Sequence, residues 1–447
     1  MSAKRQAHFA VFLSTSGYHE SGWLVQNHDP VEEASFQSLA RATAISERGL
    51  LDAVFLADSP GVNLVRAKYF PQIRFDPITV LCAIGQLSTR IGLFATASTT
   101  YNAPYELARR LATADHVTGG RFGWNVVTTG NAQAAKNFGT NEHPEHDDRY
   151  ARGAEFVDVV TRLWDSWAED AIVGDRESGT WADTTRIVPI DFHGDYYDVS
   201  GALPVPRPPQ GHPVIAQAGS SPAGVDLGGK VADAVFTPQA NVEAGIAFRD
   251  RIDAAAAKYG RPAGSVKILP GIAFVIGSTE AEAKERRREL EQSADTELRW
   301  RMLALNAGLN PELIDPDKPL SPEVAALAEG STFAQVITGK ALESQLPFRE
   351  VAQVVTGLPG GLEFTGTPEQ MADTIEQWVT RGGSDGFTLQ PTTIPDSLEL
   401  FVDHVVPILQ RRGLHRHEYT GTTLRDHLGL SRPELDSAAY AKVAATA

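Results

Sequence analysis

The stretch Arg121–Gly130 reads RFGWNVVTTG. Phe122, Trp124, Val126 and Val127 give its middle the bulk of a strand buried on both faces, the pattern of a parallel sheet covered by helices. Yet Asn125 interrupts the apolar run, and Thr128 and Thr129 close it. A strand between two dry layers leaves an amide without water, at a cost unless a partner replaces it. What Asn125 faces therefore depends on the kind of sheet that holds it.

Seven further runs have the same apolar, β-branched character. They are HFAVFLS (8–14), AVFLAD (53–58), IGLFATAST (91–99), HPVIAQAG (212–219), AVFTP (234–238), KILPGIAFVIG (267–277) and GFTLQP (386–391). Helical patterns alternate with them. Glu33–Arg48 spaces Phe36, Leu39, Ala40 and Thr43 along one face, with Gly49 as its stop. DPITVLCAIGQLS (76–88) and APYELARRLATADHV follow, the latter with Pro104 in its first turn and TGG as terminator. After the opening stretch, Val157, Val160, Trp164 and Trp167 recur at spacings of three and four. Residues 241–259 form an Ala-rich helix, and Leu398, Phe401, Val405 and Ile408 mark the last one. Eight strands in alternation with helices predict an α/β fold, a (β/α)8 TIM barrel with insertion segments. A doubly wound open sheet is the alternative. The barrel is expected to be one domain over 1–430, with insertions at about 170–211 and 290–366 and a small-residue tail over 431–447.

Composition excludes several other classes. The 447 residues are 42% hydrophobic and 21% charged, with no apolar run long enough to span a bilayer. A formal charge of −16 disfavours a nucleic-acid partner, which needs surplus Lys and Arg. Cys82 is the lone cysteine, so no internal disulfide framework exists, and its apolar helix makes it a core residue. MSAKRQAHFAVFLS lacks the pattern of a secretory signal. These features predict a cytoplasmic protein with no membrane partner.

In a barrel, chemistry sits where the strands end in βα loops. Asp58 ends strand two, Thr96 and Ser98 lie on strand three, Asn125 and Thr128 on strand four, and Ser220 and Ser221 follow strand five. Polar groups thus collect at one rim, as a bound ligand requires. Strand propensity of Thr and local satisfaction of a buried Asn are the structural alternative. AGSSPAG (218–224) offers unpaired backbone N–H groups at a helix start, a phosphate-type site, or equally an ordinary Ser cap followed by Pro. HPEHDDRYARGAEF (143–156) crowds His143, His146, Asp147 and Asp148 before a helix, but the spacing is not that of metal ligands, so no metal is expected; His146 and Tyr150 suit an anion better. The chain has no G-x-G-x-x-G, Walker or G-x-S-x-G sequence, and no second acid completes a glycosidase pair with Asp58.

Several long stretches together carry a resemblance. They are residues 74–139 from RFDPITVLCAIG to NAQAAKNFG, EHDDRYARGAEFVDVVTRLWDSW, PQGHPVIAQAGSSPAG, and VVPILQRRGLHRHEYTGTTLRDHLGL. The chain resembles the bacterial-luciferase-like flavin monooxygenases, in the branch with nitrilotriacetate, EDTA and dibenzothiophene sulfone monooxygenases; its C-terminal segment looks most like the sulfone enzymes. The resemblance implies an FMN-dependent monooxygenase. Asp58, Thr96 and Ser98 would lie by the isoalloxazine, Asn125 and Thr128 would flank it, and His146, Tyr150, Ser220 and Ser221 would hold the phosphate and ribityl end. It further implies a C4a-peroxyflavin that oxygenates a small organic substrate, xenobiotic or organosulfur in type or a halogenated aromatic. Reduced FMN would arrive by diffusion from a separate NAD(P)H:flavin oxidoreductase, and the chain would form a homodimer or tetramer. His19, in SGYHESGW, would face the flavin as the catalytic residue, or be a loop histidine. The sequence departs from the branch just after it, at GWLVQNH, which puts the substrate in question. Phe12, Trp23 and Phe55 are expected to wall an apolar substrate site, although core packing explains the two Phe residues as well. Segment 290–366 is the expected lid. A deazaflavin-dependent dehydrogenase and a non-catalytic flavin-binding barrel are the alternatives.

Overall fold

A computed structural model describes residues 6–130, 132–140, 143–328, 332–354 and 361–435. Four strands come first: β1 (His8–Phe12), β2 (Ala53–Leu56), β3 (Gly92–Ser98) and β4 (Phe122–Val127). β5 (Val214–Gln217), β6 (Ala234–Thr237), β7 (Lys267–Ile276), β8 (Leu362–Gly366) and β9 (Gly386–Pro391) follow. All pairings among them are parallel, in the order β6-β5-β4-β3-β2-β1-β9-β7-β8. The sheet closes because β7 serves two neighbours. Its first residues, Lys267–Pro270, pair with β6, and Gly271–Phe274 pair with β9. The result is a closed barrel of eight strands.

β8 is the strand that the sequence pattern did not reveal. It falls at the end of the expected 290–366 insertion and pairs with the outer half of β7. β7 runs ten residues and so projects beyond the barrel, leaving an edge that β8 covers. The 170–211 segment forms two short hairpins, Ile172–Asp175 with Thr180–Ala182 and Phe192–His193 with Asp198–Val199. Residues 436–447 of the expected tail lie outside the described residues.

The helices start where the sequence caps them. In α1 (Phe36–Arg48) the Ser35 side chain accepts from Ser38 N, which begins the helix later than its apolar spacing implied. Asp76 caps α2 (Pro77–Leu87) in the same way, and Pro104 opens α3 (Pro104–Val117). α4 (His146–Trp164) ends before Trp167, whose indole N–H instead donates to Leu203 O at 2.7 Å. α5 (Pro222–Val231), α6 (Val242–Lys258), α7 (Glu280–Gln292) and α8 (Thr296–Asn306) complete the set needed below. The last long helix holds a π turn over Phe401–Val405, and Leu398, Phe401 and Val405 are buried there.

The N-terminal end of the barrel is sealed. A short helix, Leu424–Leu428, inserts Leu424 and Leu428 among Ala53, Phe94 and Ala234. Gly92 makes room for it: a Cβ there would meet Leu424 Cδ1 at 2.3 Å. Around this plug, aspartates that immediately precede strands anchor the neighbouring strand. Asp52 accepts from Phe9 N at 2.6 Å, Asp233 from Ile215 N at 2.9 Å and Asp385 from Ile268 N at 2.9 Å. Each also holds an arginine: Arg416, Arg425 and Arg249 respectively. Burial opposes the charge on Asp52, but Arg416 and His8 hold its pKa well below the usual carboxylate range. Paired in this way, the buried charges fix the strand register.

Candidate active site at the barrel mouth

At the opposite end the accounting changes. Along β4, Trp124 and Val126 belong to the outer core beneath the helices, while Asn125 lies on the inner face, in register with Thr96 of β3. The Asn125 amide donates to Thr96 Oγ1 at 2.9 Å. Among the described residues its carbonyl oxygen has no partner, although the residue is only 2% exposed. A buried acceptor left bare marks a place where something else supplies the donor. Below it the interior is aromatic: Phe55 tilts on Phe236 at 4.7 Å, and Phe94 meets Phe236 edge-on at 5.5 Å.

The loop above this pair is held by hydroxyls. Ser98 Oγ accepts from Thr129 Oγ1 at 2.6 Å and from Thr100 N at 3.1 Å. Thr100 Oγ1 donates to Thr128 O at 2.9 Å. Thr129 takes a φ of +39°, which such bonds help to hold. Ser98 and Thr128 are therefore engaged in shaping the rim. Asp58 sits half-buried beyond β2, its pKa raised by burial and by Asp76. The neighbouring loop is tied to residues 132–138 through Asn137 Nδ2, which donates to Pro60 O at 3.0 Å.

A second group gathers where α4 and α5 begin. The His146 ring tilts on Tyr150 at 4.8 Å, and His146 Nδ1 lies 2.7 Å from Asp147. Tyr150 reaches across to the turn after β5: a Cβ at Gly219 would lie 3.1 Å from its hydroxyl and 2.9 Å from Gly224 Cα. Only glycine fits this close approach of backbone to side chain. Ser221 caps α5, accepting from Gly224 N at 3.1 Å, with Pro222 next. The cap uses an oxygen lone pair and leaves the Ser221 proton to donate. Ser220 Oγ lies 3.4 Å from Thr237 Oγ1. The cap reading of AGSSPAG is thus realised, in a form that keeps a hydroxyl proton of the kind the anion reading needs.

His19 lies elsewhere. It lines a cavity of about 120 Å³ bounded by β7, β8, α7 and α8 rather than by β3 and β4. Ser21 N donates to its Nδ1 at 3.1 Å. Burial, with the Arg287 charge adding to it, lowers the imidazole pKa to about 4, so His19 is neutral at pH 7. The cavity adjoins the barrel through Tyr18, whose ring meets Phe12 at 5.3 Å. Phe12 in turn meets Phe55 at 5.5 Å. Phe55 is 5% exposed and belongs to the packed interior, so core packing accounts for it; Phe12 keeps part of its surface open. Trp23 stands on a separate one-turn helix, Gly22–Val25, and its buried indole N–H has no partner among the described residues.

Some of this escaped the sequence reading. Tyr18, buried with a pKa raised to about 12, shares the cavity with His19. His143 bonds the Tyr101 hydroxyl at 2.8 Å, and Tyr101 stacks on Phe138 at 4.4 Å. Nothing local in the sequence ties residues 101 and 143. The strand-start aspartates did leave a trace, since Asp-Ala-Val-Phe occurs at both 52–55 and 233–236.

A closed parallel barrel with a sealed floor and underbonded polar groups at its mouth has the architecture of a barrel enzyme. Residues 11–385 match the luciferase-like monooxygenase family, to which the chain belongs. It is 41% identical to nitrilotriacetate monooxygenase component A of Aminobacter aminovorans, over 97% of this chain and 98% of that one. With N-acetyl-S-(2-succino)cysteine monooxygenase of Bacillus subtilis (strain 168) the identity is 40%, over 97% and 98%. With dibenzothiophene-sulfone monooxygenase of Rhodococcus erythropolis (strain XP) it is 38%, over 97% and 99%. Among solved structures, EDTA monooxygenase from Chelativorans sp. BNC1 superimposes with a TM-score of 0.76 at 36% identity, covering 96% of this chain and 99% of that one. A riboflavin lyase crystallised with modified FMN and riboflavin gives 0.81 at 32%, covering 97% and 99%. The protein is a monooxygenase.

Proposed function

We propose that the enzyme is the oxygenase half of a two-component system. It takes reduced FMN from a separate NAD(P)H:flavin reductase and uses O2 to oxygenate a small xenobiotic or organosulfur-type compound. The observation that carries the cofactor is the bare, buried Asn125 carbonyl at the inner rim. A flavin ring edge carries N–H donors of the kind this acceptor lacks, and the aromatic interior beneath matches a flat ring. Thr96 orients the Asn125 amide so that its oxygen points to the ligand. Tyr150, His146, Ser220 and the start of α5 would take the phosphate, through hydroxyl donors and the unpaired N–H groups of a helix N-terminus. Asp58 and Thr128 would border the ring from the loops. Structural support for this cofactor also comes from the riboflavin lyase relative, whose crystal contains modified FMN.

Bound reduced FMN supplies the electrons that activate O2. The chain contributes position and dryness. Neutral His19 can donate one hydrogen bond from Nε2, because Nδ1 accepts from Ser21 N and so carries no proton. Segment 290–366 would serve as the lid, where excluded water would favour oxygen transfer over loss of peroxide. The same reading places the enzyme in the cytoplasm as a homodimer or tetramer. Among the described residues no helix is long and apolar enough to cross a membrane.

The test is a flavin titration followed by turnover. FMN is expected to bind in the micromolar range or tighter, and reduced FMN plus a reductase is expected to add one oxygen atom to a member of a substrate panel. Mass spectrometry across sulfones, aminopolycarboxylates, thioethers and halogenated aromatics reads the product. Absence of FMN binding would defeat the reading.

A further inference from the structure

The cavity beside His19 has an uneven charge pattern. Its walls are largely apolar, with Phe274 and Val275 from β7, Phe364 from β8, and Met302 and Leu303 from α8. Two arginines enter it. Arg287 is spent: its Nε donates to Glu291 at 2.7 Å, one terminal nitrogen to Glu363 at 2.6 Å and the other to Thr365 Oγ1 at 3.3 Å. Arg299 is not. Its Nε donates to Ala294 O at 3.1 Å, and among the described residues neither terminal nitrogen has a partner.

This is unusual for its surroundings. Arg286, Arg287, Arg288, Arg301 and Arg349, the other arginines between residues 280 and 350, all pair with a carboxylate. Acidic residues are plentiful there, yet the one arginine that faces the cavity without a carboxylate is Arg299. Glu20, also on the wall, takes the Asn306 amide. His19 is neutral and adds no charge. A guanidinium on the wall of a largely apolar space, held at one nitrogen and with its terminal nitrogens unpaired among the described residues, has the fork geometry that receives an oxyanion in a bidentate manner.

We infer that Arg299 is a substrate-binding residue, and that the cavity takes a substrate with an apolar body and one terminal oxyanion, a carboxylate or sulfonate. The inference rests on the monooxygenase reading above and sharpens it by naming the substrate class. The apolar body packs on Phe274, Phe364 and Leu303, and the substrate's other end lies toward His19 and the barrel mouth.

The test uses a matched pair of probes, 3-(4-fluorophenyl)propanoate and its neutral amide, titrated by fluorine NMR into the FMN-loaded enzyme. The carboxylate is expected to bind at least tenfold more tightly than the amide. In Arg299→Gln that preference is expected to collapse to within twofold, with amide affinity and FMN affinity unchanged; Arg299→Lys keeps part of it. A parallel pair, the propanesulfonate and the propanesulfonamide, tells whether sulfonate substitutes for carboxylate. Equal binding of acid and amide to the wild type, no binding of either probe, or a preference that survives in Arg299→Gln overturns the inference. Loss of FMN binding in the wild type would instead strike the underlying reading. FMN retained without acid preference strikes only this one.

Discussion

Arg121 and Asn125 stand four residues apart in the stretch RFGWNVVTTG, one just before β4 and one within it, and the protein treats them in opposite ways. Arg121 is 6% exposed, and its guanidinium donates to Thr118 O, Ser88 Oγ, Ile91 O, Gly85 O and Ser88 O at 2.6–3.2 Å. Asn125 is as deeply buried, yet among the described residues its carbonyl has no hydrogen-bond donor. At the floor, Asp52, Asp233 and Asp385 each accept a strand N–H and hold an arginine. The floor therefore pairs its buried carboxylates with arginines and contributes rigidity. At the mouth the Asn125 carbonyl has no donor among the described residues, and on the proposed reading the flavin supplies it. The two ends of one barrel divide stability from function.

That division can be broken by experiment, beginning at the floor. Arg121→Ala strands several buried acceptors and is expected to cost ~3–5 kcal/mol or to prevent folding, read by urea unfolding. A loss under ~1 kcal/mol would mean that the floor is not where stability resides. Asp52→Asn leaves Arg416 underpaired and is expected to cost ~3 kcal/mol at pH 7. Its pH dependence has a defined sign. Because the folded-state pKa of Asp52 is depressed, its stabilisation is fully present above the unfolded value of 3.8 and is lost as pH falls through the folded one. Wild type should therefore show a steeper acid limb than Asp52→Asn; parallel limbs would contradict the assignment. At the mouth, Asn125→Leu is expected to change unfolding stability by less than ~1 kcal/mol while weakening FMN binding by ~1–3 kcal/mol. Should that variant unfold as Arg121→Ala does, with FMN affinity intact, the comparison would fail.

Much of the fold was legible because it depends on local pattern. Eight apolar runs separated by amphipathic helices admit few closed arrangements, and Asp76, Pro104 and Asn241 mark helix starts through their own side chains and ring. β8 was hidden because its half-buried residues LEFTG have no continuous apolar run, and its place depends on the overhang of a distant β7. Trp167 kept the helical spacing but lies past the helix end, so spacing alone placed it wrongly. At the site, Asn125 and Thr96 stood out as polar residues on apolar strands. His19 was visible as a residue, but its separation from the β3–β4 rim was not. Arg299 was invisible, being one of several arginines in a charged helical segment.

The sequence by itself determined the alternation of strands and helices, the polar rim and the resemblance that named its chemistry, since each is written in contiguous residues. Only the tertiary structure decided which buried polar atoms are paired. Asp52 meets Arg416 across 364 positions, while among the described residues Arg299 meets no carboxylate although many lie near it in the chain. Partnership between buried charges depends on distance in space, and it is there that the floor of the barrel differs from its mouth.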